Sequence, residues 1–407
     1  MRSRSTFMAG GAALAAVAIG LSLVAPAYAD IAPNGNDIVG VGSDTVQNMA
    51  NFLADGDPSG LSSGENSAVS KNRLFTFDAT PDANDRSGYL NNSTTLVPKL
   101  LNPTIVLRAG TSPVLRPNGS GNGVAALLAD SVAPYKINFV RMSRLPKVAE
   151  QNTASSAPDN FGGLHVVKIS SDDLEIAAAT TTNAPAALTA AQVLGIYTCA
   201  AGFTKWNGAG LGNGTGSADT IVPLLPQTGS GTYGTFNGDM ITANGGVQPT
   251  YCAPQVEEND PTSITGNATP ADAIAPFSEG RKNLFDNNIN PSGPAGGYFH
   301  DPTVPFPGSP SSLTSGIQLL TGAGSYVDVR NLYIVYRHND DAVANGGTNT
   351  TKWQPGSGQN FAQALFYNGT GGIAPYVASG DGQSAISAGG GTPAYKDCGS
   401  GAGVTTC

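Results

Sequence analysis

The sequence predicts an α/β fold with room for two domains, and three observations carry that prediction. Short β-prone runs alternate with helical stretches that open on Gly, Ser or Thr. Apolar residues make up 40% of the chain, enough to build real cores and to exclude a disordered chain. The 407 residues exceed what one hydrophobic core ordinarily serves.

The elements follow in order. Ile38-Val39-Gly40-Val41 reads as an apolar strand running into Gly42-Ser43-Asp44-Thr45, then a helix with Val46, Met49, Phe52 and Leu53 on one face. Residues 104–107 form a second strand, and the loop 116–123 opens a helix over 124–128. Residues 137–140 are a strand ending at Arg141-Met142-Ser143-Arg144. Two runs, 164–169 and 174–179, read as a strand leaving one domain for another. Thr189-Ala190-Ala191-Gln192 is a capping box, so a helix with Val193, Leu194, Ile196 and Tyr197 starts there. Residues 221–225 form a strand before the loop 227–232, which opens a helix with Tyr233, Phe236 and Met240 at spacings of three and four. Residues 273–275 read as the return crossing, 332–336 as a strongly β-prone strand and 361–367 as a final helix. The Gly-rich tail from Ala388 is expected to be loose, held only by its cysteines.

The first 29 residues have the layout of a signal peptide. Met1-Arg2-Ser3-Arg4 is basic, an Ala/Gly-rich apolar run follows over about 8–24, and Ala27-Tyr28-Ala29 precedes Asp30. Cleavage after Ala29 and a secreted or cell-envelope location are expected. A membrane anchor is the rival, but glycines interrupt the run. No cysteine precedes Cys199, so a lipoprotein is not expected. No later stretch reaches the roughly 20 apolar residues of a membrane span. The formal charge is −9, which argues against nucleic acid or anionic membrane as a partner. Cys199, Cys252, Cys398 and Cys407 suit an oxidising compartment, and pairing within each half, Cys199–Cys252 and Cys398–Cys407, is favoured among three connectivities. Zinc is the competing reading, although no C-x-x-C occurs and the histidines are scattered.

Three places repeat one device, a strand, a Gly/Ser/Thr loop and a helix start: Gly42 to Thr45, Gly119-Ser120-Gly121 onward to Gly123, and Thr228-Gly229-Ser230-Gly231-Thr232. The first N–H groups of a helix lack internal partners and carry the positive end of its dipole. Glycine lets an anion approach the main chain, and hydroxyls add donors. A single such loop is more often an ordinary helix cap than a site; three on consecutive α/β units strengthen the binding reading, because helix starts gather at the carboxyl edge of a sheet.

These residues resemble a known family. Leu188-Thr189-Ala190-Ala191-Gln192 through Ile196, Trp206-Asn207, Ile221-Val222-Pro223 and Gly229-Ser230-Gly231-Thr232 with Phe236 resemble the phosphate-type substrate-binding proteins of ABC transporters. Gly42-Ser43-Asp44-Thr45-Val46 is similar to the family's first loop and Gly119-Ser120-Gly121 to its second. Gln227 and residues 256–260 resemble a secreted actinobacterial branch. The resemblance implies a two-lobed periplasmic-binding-protein-like type 2 fold with the ligand in the cleft between lobes. Three positions depart from the pattern: Pro226 stands for an arginine, Ser143 for an aspartate and Asp44 for a threonine. Arg141 and Arg144 could supply a guanidinium fork instead, or form ordinary salt bridges; Asp44 could accept a ligand proton, or cap its own helix.

The expected organisation is a signal peptide (1–29), lobe 1 (30–170 and 273–387), lobe 2 (171–272) and a disulfide-closed tail (388–407). The expected function is capture of a small oxyanion, phosphate or a phosphorylated or similar compound, by a monomer without cofactor or metal, with an ABC permease as the partner. A secreted envelope protein that keeps the fold without transport is the alternative. A hydrolase finds little support: Ser120 and Ser230 miss G-x-S-x-G because Asn118 and Thr228 occupy the glycine positions, and His165, His300 and His338 show no triad logic. Asp55-Gly56-Asp57-Pro58-Ser59-Gly60 begins like a calcium loop but lacks its closing glutamate at the twelfth position, where Asn66 stands.

Overall fold

The main sheet is organised on one strand, Leu164–Ala179, which is 16 residues long and pairs with four others. The computed structural model describes residues 32–57, 60–67, 72–79, 104–156, 161–212, 214–286, 297–298, 301–305, 315–341, 361–367, 374–401 and 404–407. The expected signal peptide, His300 and Pro58-Ser59 lie outside the described residues. In spatial order the sheet runs β2 (Leu74–Thr76), β1 (Ile38–Gly42), β5 (Phe139–Met142), β14 (Val327–Arg337), β6 (Leu164–Ala179), β10 (Ala273–Ser278) and β7 (Val222–Pro223). Two further strands, β13 (Ile317–Leu319) and β15 (Thr392–Ser400), also pair with β6. Three two-stranded ribbons complete the set: β3 (Thr104–Ile105) with β4 (Val114–Leu115), β8 (Leu225–Pro226) with β9 (Gln255–Val256), and β11 (Gly297–Tyr298) with β12 (Asp301–Pro305).

Side-chain alternation divides each end of this sheet between two cores. At one end, Ile38, Leu332, Ile334 and Tyr336 face the helices Gln47–Asp55, Phe361–Leu365 and Gly380–Ala388. Val39, Val41, Tyr333 and Val335 face the opposite side with Val124 and Leu127 of the helix Ser120–Ala129. At the other end, Leu174, Ile176 and Ala178 pack with Val193, Tyr197, Phe236 and Met240 from the helices Ala190–Tyr197 and Gly231–Ala243. Ala177, Ala273, Ala275 and Phe277 form the fourth core. A Val, Leu, Ile, Phe or Met side chain among them contributes about 1.5–3 kcal/mol when fully buried.

Several elements differ from the sequence expectation, each for a physical reason. The polar residues 170–173 do not end the strand, because β14 pairs across them with only a register shift between Leu332 and Tyr333. Residues 221–225 split into β7 and β8, where Leu224 instead donates its N–H to Ile274. The second predicted strand shrinks to β3, which stays outside the main sheet. Residues 273–275 do not return to the first end: β10 pairs with β6 and β7, and Ile317, Leu320 and Tyr326 share the same cores. The tail is not loose, since β15 bonds along β6 and hydrogen bonding compensates for its poor composition. The capping box at Thr189 forms with both reciprocal bonds. Among the described residues, no helix is long and apolar enough to cross a membrane.

The disulfides are Cys199–Cys252 and Cys398–Cys407. The first closes a separation of 53 residues, ties the end of the Ala190–Tyr197 helix to the segment before β9, and stabilises by about 4 kcal/mol on chain entropy. A paired Cys199→Ser/Cys252→Ser variant is expected to melt several degrees lower in calorimetry, with no shift if the bridge constrains nothing. A second expectation concerns pH. Burial pushes the Asp55 carboxyl up to about 7, against the opposing hydrogen bond from Asn66 and the charge of Arg73. The unfolded chain ionises near its ordinary value of about 4, so stability falls between roughly pH 4 and 7 and levels above. Asp55→Asn keeps the acceptor for Asn66 and should flatten the melting temperature over that interval; an unchanged slope would assign it to other groups.

Candidate functional site

The three Gly/Ser/Thr loops converge. β1 ends at Gly42, whose φ is 115°, and the chain turns through Ser43-Asp44-Thr45 into the helix Gln47–Asp55. Gly119, at φ 88°, caps the helix Ser120–Ala129. Ser230 caps the helix Gly231–Ala243, its hydroxyl oxygen accepting from the Tyr233 N–H at 2.8 Å. The second loop contacts the third directly: Gly121 N–H donates to the Gly229 carbonyl at 2.9 Å. A Cβ on Gly231 would come within 2.0 Å of Ser143 Oγ and 2.4 Å of Ser120 Oγ, so only glycine permits this approach.

Hydroxyls then link the segments. Ser43 Oγ donates to Ser143 Oγ at 3.2 Å, Ser143 and Ser120 hydroxyls lie 3.3 Å apart, and Ser143 N–H donates to Ser120 Oγ at 2.9 Å. Thr45 and Thr232 hydroxyls stand 3.4 Å apart. Ser43, Asp44, Thr45, Ser120, Ser143, Ser230 and Thr232 are all almost fully buried. Seven of the expected positions thus meet at one buried point, with Gly119, Gly121, Gly229 and Gly231 as the main chain between them.

Three other expected residues serve elsewhere. The Arg141 guanidinium turns beneath the loop and donates to the carbonyls of Ser43, Gly42 and Phe77 and to the Thr76 hydroxyl. It holds the shape of the first loop and is not half of a fork facing the cleft. Burial lowers its pKa to about 10. Arg144 forms a two-point pair with Glu150 at 2.9 and 2.7 Å, the salt-bridge alternative. Thr228 is exposed and binds Gln255. Nor does Asp44 cap its helix, which has no side-chain cap; its carboxylate accepts from Asn259 Nδ2 at 3.1 Å and lies 3.6 Å from Arg281.

The cluster's guanidinium comes from a residue the sequence did not single out. Arg330, on β14, donates to Thr232 Oγ1 at 2.8 Å and to Thr45 Oγ1 at 3.3 Å, while Nε and Nη2 bind Asp172 Oδ2 at 3.0 and 2.8 Å. No spacing motif marks it; one arginine in a β-prone run looks like a surface residue. The family's arginine position is Pro226, which here pairs with Val256 in the β8–β9 ribbon. Residues 257–260 were marked in the sequence only by their resemblance to the actinobacterial branch, with no role at the site. Glu257, Glu258, Asn259 and Asp260 are each buried. Burial, and then the Asp44 charge, push the Glu258 carboxyl above the usual range, while Thr232, Arg330 and Ser230 oppose them.

Chemically, converging helix N-termini, hydroxyls and one guanidinium form a set of donors for an oxyanion. His165 and His338 face each other at 3.4 Å, with His165 also on Asp397 at 2.7 Å. Among the described residues, no group of three or more His, Cys, Asp or Glu could hold a metal ion.

Residues 105–383, more than half of the chain, match the PBP superfamily domain. No curated protein matches the chain. Among solved structures it is similar to a Clostridium perfringens protein assigned as a phosphate ABC transporter substrate-binding protein, with bound phosphate. The identity is 14%, over 88% of this chain and 100% of that one, at a TM-score of 0.47. It is also similar to a phosphate-binding protein from Stenotrophomonas maltophilia (14% identity, 88% and 90% covered, TM-score 0.43). A third is an ABC-type phosphate transport receptor from Vibrio cholerae (15% identity, 74% and 87% covered, TM-score 0.37). With a mixed α/β architecture around one central sheet and a family match spanning 105–383, this chain belongs to the PBP superfamily.

Proposed function

We propose that this protein is an extracytoplasmic solute-binding protein, not an enzyme, that captures a small oxyanion between two lobes. The observation that carries the proposal is the meeting of three helix N-termini, the hydroxyls of Ser43, Thr45, Ser120, Ser143, Ser230 and Thr232, and the Arg330 guanidinium at one buried point. The anion class is phosphate or a phosphorylated or similar compound, which the motif resemblance around 188–240 also favours. The lobes would be the two ends of the sheet, with β10 and residues 317–326 on the side of 171–272. Closure brings Gly119–Gly121 against Gly229–Gly231, and ligand selects the closed arrangement by differential contacts. The signal segment fits delivery across the membrane, and the small anion would pass to an ABC permease.

Calorimetric titration of the mature protein with phosphate, sulfate and a phosphate monoester tests the ligand class. At least one is expected to bind at a single site. Ser230→Ala with Thr232→Ala should weaken it by about tenfold or more per lost charge-assisted bond, at ~1.5–3 kcal/mol each. Heats of dilution alone with every anion would contradict the proposal. Gly231→Ala tests the closure: its Cβ meets the Ser143 and Ser120 hydroxyls, so small-angle scattering should give a larger radius of gyration and titration a weakened site. A wild-type radius and affinity would mean that the loops need not approach this closely.

A further inference from the structure

A cavity outside the loop junction sits at a gap in the pairing of β6. β14 covers one edge of this strand from Leu164 to Glu175. On the other edge β15 pairs as far as Ser171 and β10 begins at Leu174, so Asp172 and Asp173 have no neighbouring strand there. The helix Glu279–Asp286 and the turn before β15 close in from either side. They approach so tightly that a Cβ on Gly280 would come within 2.0 Å of the Gly390 carbonyl oxygen. The space between them is about 420 Å³, and its polar lining is Asp172, Asp173, Glu279, Asn283, Ser387 and Thr392. That volume is ordinary for a small-molecule site, and among the described residues no lysine or arginine lines it.

The charge on this wall is unbalanced. Asp172 is matched by Arg330. Among the described residues, the side chains of Asp173 and Glu279 have no hydrogen-bond or ion-pair partner. Glu175 is the third carboxylate. It follows Asp173 by two residues on β6, with unbroken register against β10 and β14, so its side chain points to the same side. The helix Glu279–Asp286 covers that side, where its Phe285 packs with Ala177, two residues further along. Glu175 is 7% exposed and its Oε2 has no partner, a costly arrangement for a buried carboxylate facing the helix that walls the cavity. Burial, and then the charges of Glu279, Asp173 and Asp172, push its carboxyl up to about 7. The opposing charge, Lys282, is itself paired with Asp286, and the cross-strand neighbours Phe277 and Val327 are uncharged. Val327 and Val329 stand opposite Glu175 and Asp173 on β14 and are 45% and 66% exposed, an apolar rim beside the acids.

We propose that this cavity is a binding site for a small organic cation, an aliphatic ammonium or guanidinium compound, whose charged groups meet Asp173, Glu175 and Glu279 and whose carbon chain lies along Val327 and Val329. A cation several atoms long reaches carboxylates that are spread around a cavity. A bare metal ion needs them on one point, and among the described residues no group of three or more such ligands could hold one. The site goes beyond the oxyanion reading and does not depend on it, because none of the loop hydroxyls lines this cavity.

The mature protein is titrated calorimetrically with 1,4-diaminobutane, guanidinium chloride and calcium chloride, each against sodium chloride at matched ionic strength. At least one of the two organic cations is expected to bind at a single site. Binding should weaken about tenfold or more in Glu175→Gln and in Glu279→Gln, and stay unchanged in Asp219→Asn, an exposed carboxylate elsewhere. From pH 6 to 8 Glu175 ionises while the ammonium stays charged, so wild-type affinity should rise several-fold and E175Q should lose that rise. Circular dichroism checks that each variant is folded, and Glu279, exposed on its helix, gives a second variant if E175Q does not fold. No saturable heat from either organic cation, equal affinity in wild type, E175Q and E279Q, or tighter binding of calcium than of both, overturns the site. Each of these outcomes leaves the oxyanion proposal standing.

Discussion

The junction of the three loops depends on one guanidinium that cannot be left alone. Arg330 is buried, and removing a single partner from a buried ion pair ordinarily costs about 3–5 kcal/mol. Its partner Asp172 lies on the central strand β6, and its other bonds reach Thr45 after β1 and Thr232 at the start of the Gly231–Ala243 helix. One side chain thus ties the strand shared by both ends of the sheet to one loop from each end. The loops meet where they do because this charge has to be satisfied by all three.

The remaining polar groups follow the same requirement. Asp172 Oδ1 accepts from the Ser278 hydroxyl and Gly280 N–H, which fixes the end of β10. Asp44 meets Asn259 and Arg281, and Arg141 satisfies the carbonyls under the first loop. Glycine at 119, 121 and 231 lets the main chains come close enough for the serine hydroxyls to touch. The proposed anion binding would draw on this buried, donor-rich junction of helix N-termini and hydroxyls. Residues 257–260 join this junction through Asn259, whose Nδ2 donates to Asp44 and Thr45.

Much of this was legible in the sequence, and the limits have physical causes. The strands beginning at Ile38 and the helices from Thr189 and Ser230 could be read because periodicity and caps are local signals. The loop positions Ser43, Ser120 and Ser230 were legible for the same reason. Arg330 and Glu258 were not, since burial of a charge is decided by tertiary partners far along the chain, such as Asp172 and Thr45. Arg141 was misjudged because a guanidinium next to a loop can turn to either side of a strand, and here the carbonyls below it offered the better acceptors. The glycines around it hid β15, Thr392–Ser400, which is extended by pairing with β6. The continuity of β6 through residues 170–173 was equally non-local.

The central claim is that the junction of the three loops is where an external oxyanion sits. A crystal structure of the mature protein grown with phosphate examines it most directly. Phosphate density is predicted within hydrogen-bond range of Ser230, Thr232, Thr45 and Arg330. Phosphate bound elsewhere, with none at this junction, would contradict it.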